Sequence, residues 1–218
     1  MTGRVLSVNV SLPRVIGERG GEPVCSGIAK QPVAGPVAVT ANGLYGDGQA
    51  DLINHGGTEK AVYVYDRSDA AYWEQRLGRP LGPGAFGENL TIEGFASSNV
   101  RVGDRFRIGN ALLEVSQPRV PCYKLGIHMG DERFPVEFAR VNRVGFYLRV
   151  IETGAIAAGD AVERTSTATT PLTITDLMSA FLTARNDAAR LEVVAALPGL
   201  SEAWRNEFAD MAAAARRG

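Results

Sequence analysis

Residues 112–125 read LLEVSQPRVPCYKL, and the prediction of the fold starts from this stretch. Its aliphatic first half predicts a β-strand. Pro118 and Pro121 then withhold backbone N–H donors and hold the chain extended, so the strand cannot simply continue. A strand that ends in a stiff loop is typical of a compact barrel, in which the loops carry the site. Here the loop brings Cys122 to a fixed place.

Further β-branched or aromatic runs lie on both sides of this stretch, separated at short intervals by glycine and proline. They cover residues 4–10, 29–33 with 36–40, 61–65 and 145–151. Helical patterns interrupt them at 68–77, where Ser68 is a plausible N-cap and Gly78 follows the last turn, and at 134–141. Because strands and helices do not alternate regularly, the sequence predicts an α+β fold with a dominant β-barrel and a few helices.

The composition changes after Val162. The polar run Arg164–Thr170, followed by Pro171, predicts a linker. Beyond it, capping residues and a Pro-Gly break predict three short helices over 173–183, 187–196 and 201–215. We therefore predict a barrel domain at 1–165 and a small all-α three-helix domain at 171–218. Since so few residues are marginal for an independent core, the helices are expected to pack on the barrel.

The bulk composition excludes several classes of protein. Lys and Arg total 23 against 24 Asp and Glu, a net charge of −1. The chain therefore lacks the excess of positive charge that is typical of proteins that bind nucleic acid. No apolar stretch reaches the roughly 18 residues that a membrane span needs. The first residues lack the features of a signal peptide, so we expect a cytoplasmic protein. Two cysteines and two histidines exclude a four-cysteine zinc or iron–sulfur site and argue against a multi-histidine metal site.

Cys122 is the first candidate for chemistry. If residues 123–128 form a short helix, Cys122 lies at its N-terminus with Arg119 and Lys124 nearby, and this surrounding favours a thiolate, which is a nucleophile and a soft metal ligand. The alternative is a small buried hydrophobe flanked by outward-pointing charges. The residues alone leave these two interpretations evenly balanced. Cys25, in an apolar run without nearby cations, is expected to be buried.

A second candidate segment is DGQAD at 47–51 followed by NHGGTEK at 54–60. Gly56 and Gly57 allow the backbone to approach an anion, Lys60 adds charge, and His55 can donate to an oxygen. The alternative, favoured for this segment by itself, is a tight turn with a capping histidine.

A third candidate segment is GAFGENL at 84–90. Gly87 permits a strained turn, Asn89 offers a donor and an acceptor, and a desolvated Glu88 can relay a proton. A simple turn is again the favoured alternative for the segment by itself. All three candidate segments nevertheless lie at ends of predicted strands.

Four segments together resemble one family: NHGGTEKAVYVYD, PGAFGENLTIEG, VGDRFRIGNALLEVSQPRVPCYKL and GFYLRV. They are similar to the MOSC domain family, in particular to its YiiM-like bacterial branch, which carries a C-terminal three-helix domain. The resemblance implies a MOSC-type β-barrel and a molybdenum cofactor of the molybdopterin type, with Cys122 as the molybdenum ligand. It further implies that the cofactor is contacted by His55, Gly56, Gly57, Lys60, Phe86, Glu88, Asn89 and Arg119.

The resemblance also implies an activity, the reduction of N-hydroxylated compounds such as hydroxylaminopurines and amidoximes. Cys122 would act at the metal, with Glu88 or His55 as the proton donor. Because the chain has no cysteines for an iron–sulfur cluster and no dinucleotide fingerprint, electrons would come from a separate flavin or iron–sulfur reductase. Two alternatives stay open: a sulfur carrier with a persulfide on Cys122, and a non-catalytic carrier of the molybdenum cofactor.

One position departs from the family. Asn142 precedes Arg143 where relatives commonly have glycine. Asparagine is the other residue that tolerates a left-handed backbone, so we expect the turn to be kept.

Overall fold

The protein was examined as a computed structural model, which describes residues 2–51 and 56–217. These residues form the strands β1 (Thr2–Val10), β2 (Arg14–Arg19), β3 (Glu22–Ser26), β4 (Gln31–Pro32), β5 (Val37–Thr40), β6 (Gly43–Leu44), β7 (Val62–Asp66), β8 (Leu90–Glu93), β9 (Arg105–Ile108), β10 (Ala111–Pro118), β11 (Phe146–Glu152), β12 (Gly154–Ile156) and β13 (Ala161–Ser166). The α-helices are α1 (Arg67–Leu77), α2 (Tyr123–Met129), α3 (Phe134–Val141), α4 (Ile174–Thr183), α5 (Ala188–Ala195) and α6 (Glu202–Ala215).

Seven strands close into a barrel in the order β13, β9, β10, β11, β7, β8, β1. The ring is complete because β13 also pairs with β1, with Thr2 opposite Glu163. β7 and β8 run parallel, and the other neighbours in the ring are antiparallel. Closure leaves the ring without an unpaired edge. The predicted α+β fold with a barrel core is therefore confirmed.

An aromatic cluster fixes helices α1 and α3 against one side of the barrel. Trp73 of α1 stacks on Phe138 of α3 with ring centroids 5.3 Å apart. Phe86, from the loop before β8, lies 5.1 Å from Phe138 and 4.6 Å from Tyr65 of β7. All of these rings are buried. Since each such ring pair adds about 0.5–1.5 kcal/mol beyond burial, the cluster holds the 84–89 loop firmly in place.

The predicted linker over residues 164–170 is wrong in its first half. Arg164 to Ser166 belong to β13, where they pair with β9. The side chain of Arg164 lies 3.5 Å from the buried carboxylate of Asp104. The Thr/Ser composition that suggested a linker reflects a strand with an exposed outer face. The proposed domain boundaries stay a prediction.

The three predicted C-terminal helices are confirmed, and each begins at the predicted cap. Thr173 and Asp176 form a reciprocal capping box on α4, and Asp187 and Ser201 cap α5 and α6. The helices pack on the barrel: the Ser201 N–H donates to the Ser116 carbonyl at 3.0 Å, and apolar α4 residues share the barrel's core. Among the helices of the two described ranges, none combines the length and the apolar character that a membrane span requires.

Candidate functional site

Cys122 lies where the predicted loop meets a helix. β10 ends at Pro118, and after three further residues Cys122 is the N-cap of α2. Its side chain is half-buried. The expectation of a short helix directly after Cys122 is therefore confirmed. The side chain of Cys122 is thereby placed at a helix N-terminus, which presents N–H groups and positive partial charge.

The expectation for Cys25 is wrong, because this cysteine is exposed on β3. Neighbouring residues of a strand point to opposite faces. In β3 the buried face is occupied by Val24, so Cys25 points to solvent. The apolar run in the sequence did not show which of the two faces the other elements would cover.

One cleft brings the three candidate segments together. Its lining includes Lys60 from the second segment, Phe86 and Asn89 from the third, and Arg119 and Cys122 from the proline loop. The empty space is about 660 Å³ counted to the open mouth, within the range of ordinary cofactor sites. Lys124, which the sequence placed near Cys122, lines the same cleft.

Other predicted site residues lie beside the cleft or outside the described part of the chain. His55 belongs to residues 52–55, which the structure does not describe, so its role stays a prediction. Gly56, Gly57 and Glu88 are absent from the lining as far as it is described. Gly57 has φ 92°, a value that suits glycine, and it begins the 3₁₀ turn that ends at Lys60. Gly57 thus allows the backbone turn that leads to Lys60 in the cleft lining.

Glu88 holds the 84–88 loop closed. One carboxylate oxygen accepts from the Gly84 N–H at 2.7 Å and from the Thr91 hydroxyl at 2.9 Å, and the other accepts from the Phe86 N–H at 3.0 Å. Burial raises the pKa of Glu88, while these hydrogen bonds oppose the rise. Gly87, at φ 82°, makes the turn possible. The buried carboxylate is therefore engaged by its own loop, and its predicted role as a proton donor gains no geometric support.

A buried polar network forms the floor of the cleft. Lys30 forms an ion pair with Asp47, and both side chains are more than nine-tenths buried. Asp47 also accepts from the Asn89 side-chain amide at 2.9 Å, and the side-chain oxygen of Asn89 accepts from the Tyr63 N–H at 3.0 Å. Burial lowers the pKa of Lys30, and the attraction of Asp47 acts against this shift. The network therefore ties strand β7 to the loops on either side of the cleft.

Sequence reasoning missed two kinds of residue at this site. Lys30 was missed because it lies in a predicted strand. The only sign of its role in the sequence was a single lysine within an apolar run. Tyr63 and Tyr147 were missed because the sequence did not show which face of the predicted strands would point to the cleft. In the structure they are directly opposite each other on β7 and β11, and both line the cleft.

Arg119 is a buried cation with an unsatisfied donor. The residue is 5 % exposed, and its Nη1 has no hydrogen-bond partner among the described residues. Its guanidinium lies 5.4 Å from the centre of the Tyr63 ring and 5.6 Å from that of Phe138. Burial by itself would lower the pKa of Arg119, but the interactions with Tyr63, Tyr147 and Cys122 outweigh it and raise the pKa. The group therefore stays charged.

The donor set suits an anionic ligand that carries a soft metal. Lys30, Lys60, Arg119 and Lys124 outnumber the acids Asp47 and Asp51 in the described lining. An unsatisfied guanidinium nitrogen costs about 1–3 kcal/mol or more unless a ligand accepts from it. The thiol of Cys122 borders the same space, and a thiolate is a suitable ligand for a soft metal. A molybdenum–pterin cofactor, which brings dithiolene sulfurs and a phosphate, fits these residues.

The chain belongs to the MOSC domain family, whose model matches residues 51–163. This family is, in general, one of molybdenum-cofactor-binding domains. A second model, the YiiM-like 3-alpha helix domain, matches residues 172–213. The resemblance stated from the sequence motifs is thereby confirmed.

Three relatives illustrate the match. Over 204 residues the chain is 37 % identical to the uncharacterized protein YflK of Bacillus subtilis, covering 94 % of this chain and 92 % of YflK. The crystal structure of YiiM from Geobacillus stearothermophilus superposes with a TM-score of 0.82 at 33 % identity, covering 96 % of this chain and 99 % of that one. A protein of Gibberella moniliformis named reductase is 40 % identical over 152 residues, which are 67 % of this chain and 26 % of the reductase.

Proposed function

We propose that this protein is a molybdenum-cofactor-dependent reductase of N-hydroxylated compounds such as hydroxylaminopurines and amidoximes. In the overall reaction an N–OH group takes up two electrons and two protons and gives N–H and water. The observation that carries the proposal is the cleft, which is lined both by Cys122 and by Arg119 with its unsatisfied Nη1. The cofactor, when bound, supplies the two-electron redox chemistry, and the chain holds it, orients it and supplies protons.

Each residue at the cleft has a proposed part in this task. Cys122 binds the metal through its sulfur. Arg119, Lys60 and Lys124 bind the anionic groups of the cofactor, and Arg119 offers its unsatisfied Nη1 for a charge-assisted hydrogen bond. Asn89 fixes the position of the cleft wall, because its side chain accepts from the Tyr63 N–H of β7 and donates to Asp47.

The proton has two remaining candidate sources. His55, proposed from the sequence, lies outside the described residues. Lys60 lines the cleft, and burial lowers its pKa, with an opposing contribution from Asp51. A lowered pKa makes the ammonium group a stronger acid than that of a solvated lysine. Glu88, whose oxygens already accept three hydrogen bonds, is assigned a positioning role.

Electrons would come from a separate flavin or iron–sulfur reductase. Two cysteines in the whole chain are too few to hold an iron–sulfur cluster. The name reductase on the fungal relative, which is almost four times as long as the matched segment, is consistent with such chemistry in a larger assembly.

The test is the molybdenum content of the full chain, made in a host that synthesises the cofactor, together with turnover of an amidoxime by an artificial electron donor. We expect near-stoichiometric molybdenum in the wild type and in the control Cys25→Ser, whose thiol is on an exposed hairpin. Cys122→Ser should lose most of its molybdenum and its turnover.

Four results would contradict the proposal. Absence of molybdenum in the wild type, or equal molybdenum in Cys122→Ser, would remove the metal-ligand role. Cyanide-releasable sulfur on Cys122 without molybdenum would indicate a sulfur carrier. Bound molybdenum without turnover of any N-hydroxylated compound would indicate a non-catalytic cofactor carrier.

A further inference from the structure

A second cavity lies between the barrel and the C-terminal helices. The barrel supplies Gln117 and Tyr147, α4 supplies Phe181, and α6 supplies Trp204 and Glu207. Its empty space is about 990 Å³ counted to the open mouth. The walls thus come from parts of the chain that match two different family models.

This second cavity adjoins the cleft described above. Lys60, Val120, Cys122 and Tyr147 line both spaces. Cys122 therefore lies on the boundary between them. A molecule held in the second cavity would present one end to the Cys122 sulfur, while a cofactor occupied the cleft on the other side.

Gln117 provides an unsatisfied acceptor in this cavity. The residue is 3 % exposed, and its side-chain nitrogen donates to the Pro118 carbonyl at 3.4 Å. Its side-chain oxygen is buried and has no hydrogen-bond partner in the described part of the protein. Such an acceptor costs about 1–3 kcal/mol unless a donor reaches it. Gln117 also lines the cavity, so an N–H or O–H group of a ligand that reaches this oxygen would satisfy it.

The opposite wall is aromatic and preorganised. The Trp204 ring lies 5.3 Å from that of Phe181 and 5.4 Å from that of Phe208, so neighbouring rings fix its position. Glu207, one turn along α6, is exposed, and no ion pair engages it among residues 2–51 and 56–217. Aromatic faces select planar groups, and a carboxylate beside them selects a cation or an N–H donor.

We propose that this second cavity holds the planar, N–H-bearing body of the substrate, an amidine-like or amino-substituted aromatic group, with the reacting nitrogen directed to Cys122. The inference rests on the proposed function and deepens it. Gln117 and Glu207 accept from N–H groups of the ligand, and Trp204 contacts its ring. The C-terminal helices thereby form a specificity wall of the site in addition to their packing role.

Binding of benzamidine, a planar and cationic N–H donor that cannot be reduced at nitrogen, tests the cavity without any turnover. Isothermal titration of the full chain should show saturable binding. Gln117→Met should weaken it about tenfold and Glu207→Gln about threefold to tenfold, as expected for the loss of one hydrogen bond or charge interaction. Asp210→Asn, which removes an exposed acid from the same helix, is the matched control and should bind as the wild type does.

Turnover separates this inference from the proposed function. Ala203→Phe fills the cavity from an exposed position of α6, whereas Ala209→Phe on the same helix is outside it. With the molybdenum-loaded protein, Ala203→Phe should lower kcat/KM for benzamidoxime at least about tenfold, and leave kcat/KM for hydroxylamine, which has no ring, unchanged.

The outcomes have distinct meanings. Benzamidine binding that depends on Gln117, without reduction of any N-hydroxylated compound, would support the cavity and overturn the reductase. Reduction of benzamidoxime that is insensitive to Ala203→Phe and to Gln117→Met would support the reductase and overturn the cavity. Equal losses for benzamidoxime and hydroxylamine in Ala203→Phe would also overturn the inference.

Discussion

At the scale of single residues, Arg119 is a buried charge that is expected to cost the protein stability. It is a charged group with 5 % exposure, and one of its nitrogens has no partner within the described ranges. Burial of an incompletely paired charge disfavours folding, and apolar replacements of such groups are often neutral or stabilising. A ligand that accepts from this nitrogen would complete the hydrogen bonds of Arg119, in agreement with the binding role proposed for it.

Replacement of Arg119 by methionine should therefore separate stability from binding. In the cofactor-free Arg119→Met protein we expect the free energy of unfolding to stay level or to rise by up to about 2 kcal/mol, measured by urea denaturation. The molybdenum retained on gel filtration should fall about tenfold, since a charge-assisted hydrogen bond is lost. Arg76→Met, at an exposed ion pair with Glu137, should change neither quantity. A destabilised variant with full molybdenum content would show that Arg119 is structural.

The residue scale also shows how far the sequence predicts the site. Arg119 and Cys122 were predictable because two prolines and nearby cations are local features. Lys30 and Tyr147 were not, because their position at the cleft depends on strand register and on contacts between segments distant in sequence. Glu88 was predicted as a proton donor, but in the structure its carboxylate accepts hydrogen bonds from the Gly84 and Phe86 N–H groups. These bonds form only in the folded turn at residues 84–88, so the sequence did not reveal them.

At the scale of elements, the junction between α3 and α4 depends on Asn142. This residue ends α3 with φ 61° and ψ 32°, so the expectation of a left-handed turn is confirmed. Its side-chain nitrogen also donates to the Thr175 carbonyl at 2.8 Å and to the Ser179 hydroxyl at 2.9 Å. Asparagine thus supplies the turn that glycine would allow and adds a link to the C-terminal helices.

Two substitutions can separate these contributions. Asn142→Gly loses the two hydrogen bonds and keeps the turn, so we expect the free energy of unfolding to fall by about 1–2 kcal/mol. Asn142→Ala loses the bonds and adds left-handed strain, for a total fall of about 2–4 kcal/mol. Urea denaturation of both variants measures the difference. Equal stability of the two, or a more stable alanine variant, would refute this division.

Capping residues made the C-terminal helices predictable, whereas the predicted cap of α1 is wrong, because Asp66 and not Ser68 caps this helix. The three C-terminal helices begin at Thr173, Asp187 and Ser201 because each of these side chains accepts a bond from a backbone N–H of the first turn. The sequence analysis missed strands that are short or that carry polar residues along their exposed faces, namely β2, β3, β6, β8, β9, β12 and β13. Their pairing is decided by partners elsewhere in the barrel.

At the scale of the whole molecule, the barrel and the C-terminal helices share one core. Ile174, Leu177 and Met178 of α4 are fully buried in the same hydrophobic cluster as the barrel strands. Backbone bonds also cross the boundary, among them Ile174 N–H to the Val100 carbonyl at 2.8 Å. The two parts should therefore unfold together.

The two tryptophans of the chain allow a direct test, since Trp73 reports on the barrel side and Trp204 on α6. In a Trp204→Phe background, Trp73 is the sole fluorescent tryptophan. Adding Phe208→Leu, a cavity-forming change in α6, should then lower the urea midpoint reported by Trp73, because about 1–3 kcal/mol is lost from a common cooperative unit. An unchanged Trp73 midpoint would instead indicate two domains that unfold independently.

The closing pair of the barrel, β1 with β13, constrains the order in which the protein folds. Thr2 pairs with Glu163, so β1 waits for a partner that lies about 160 residues further along the chain. Contacts of such large sequence separation slow folding, because a long loop must close before the pairing stabilises anything. During synthesis β1 has β8 as an earlier neighbour, and the open ring then presents a strand edge to other chains. The helices α4 to α6 follow β13 in the sequence, so the strand that closes the ring and the helices that complete the common core become available for folding together.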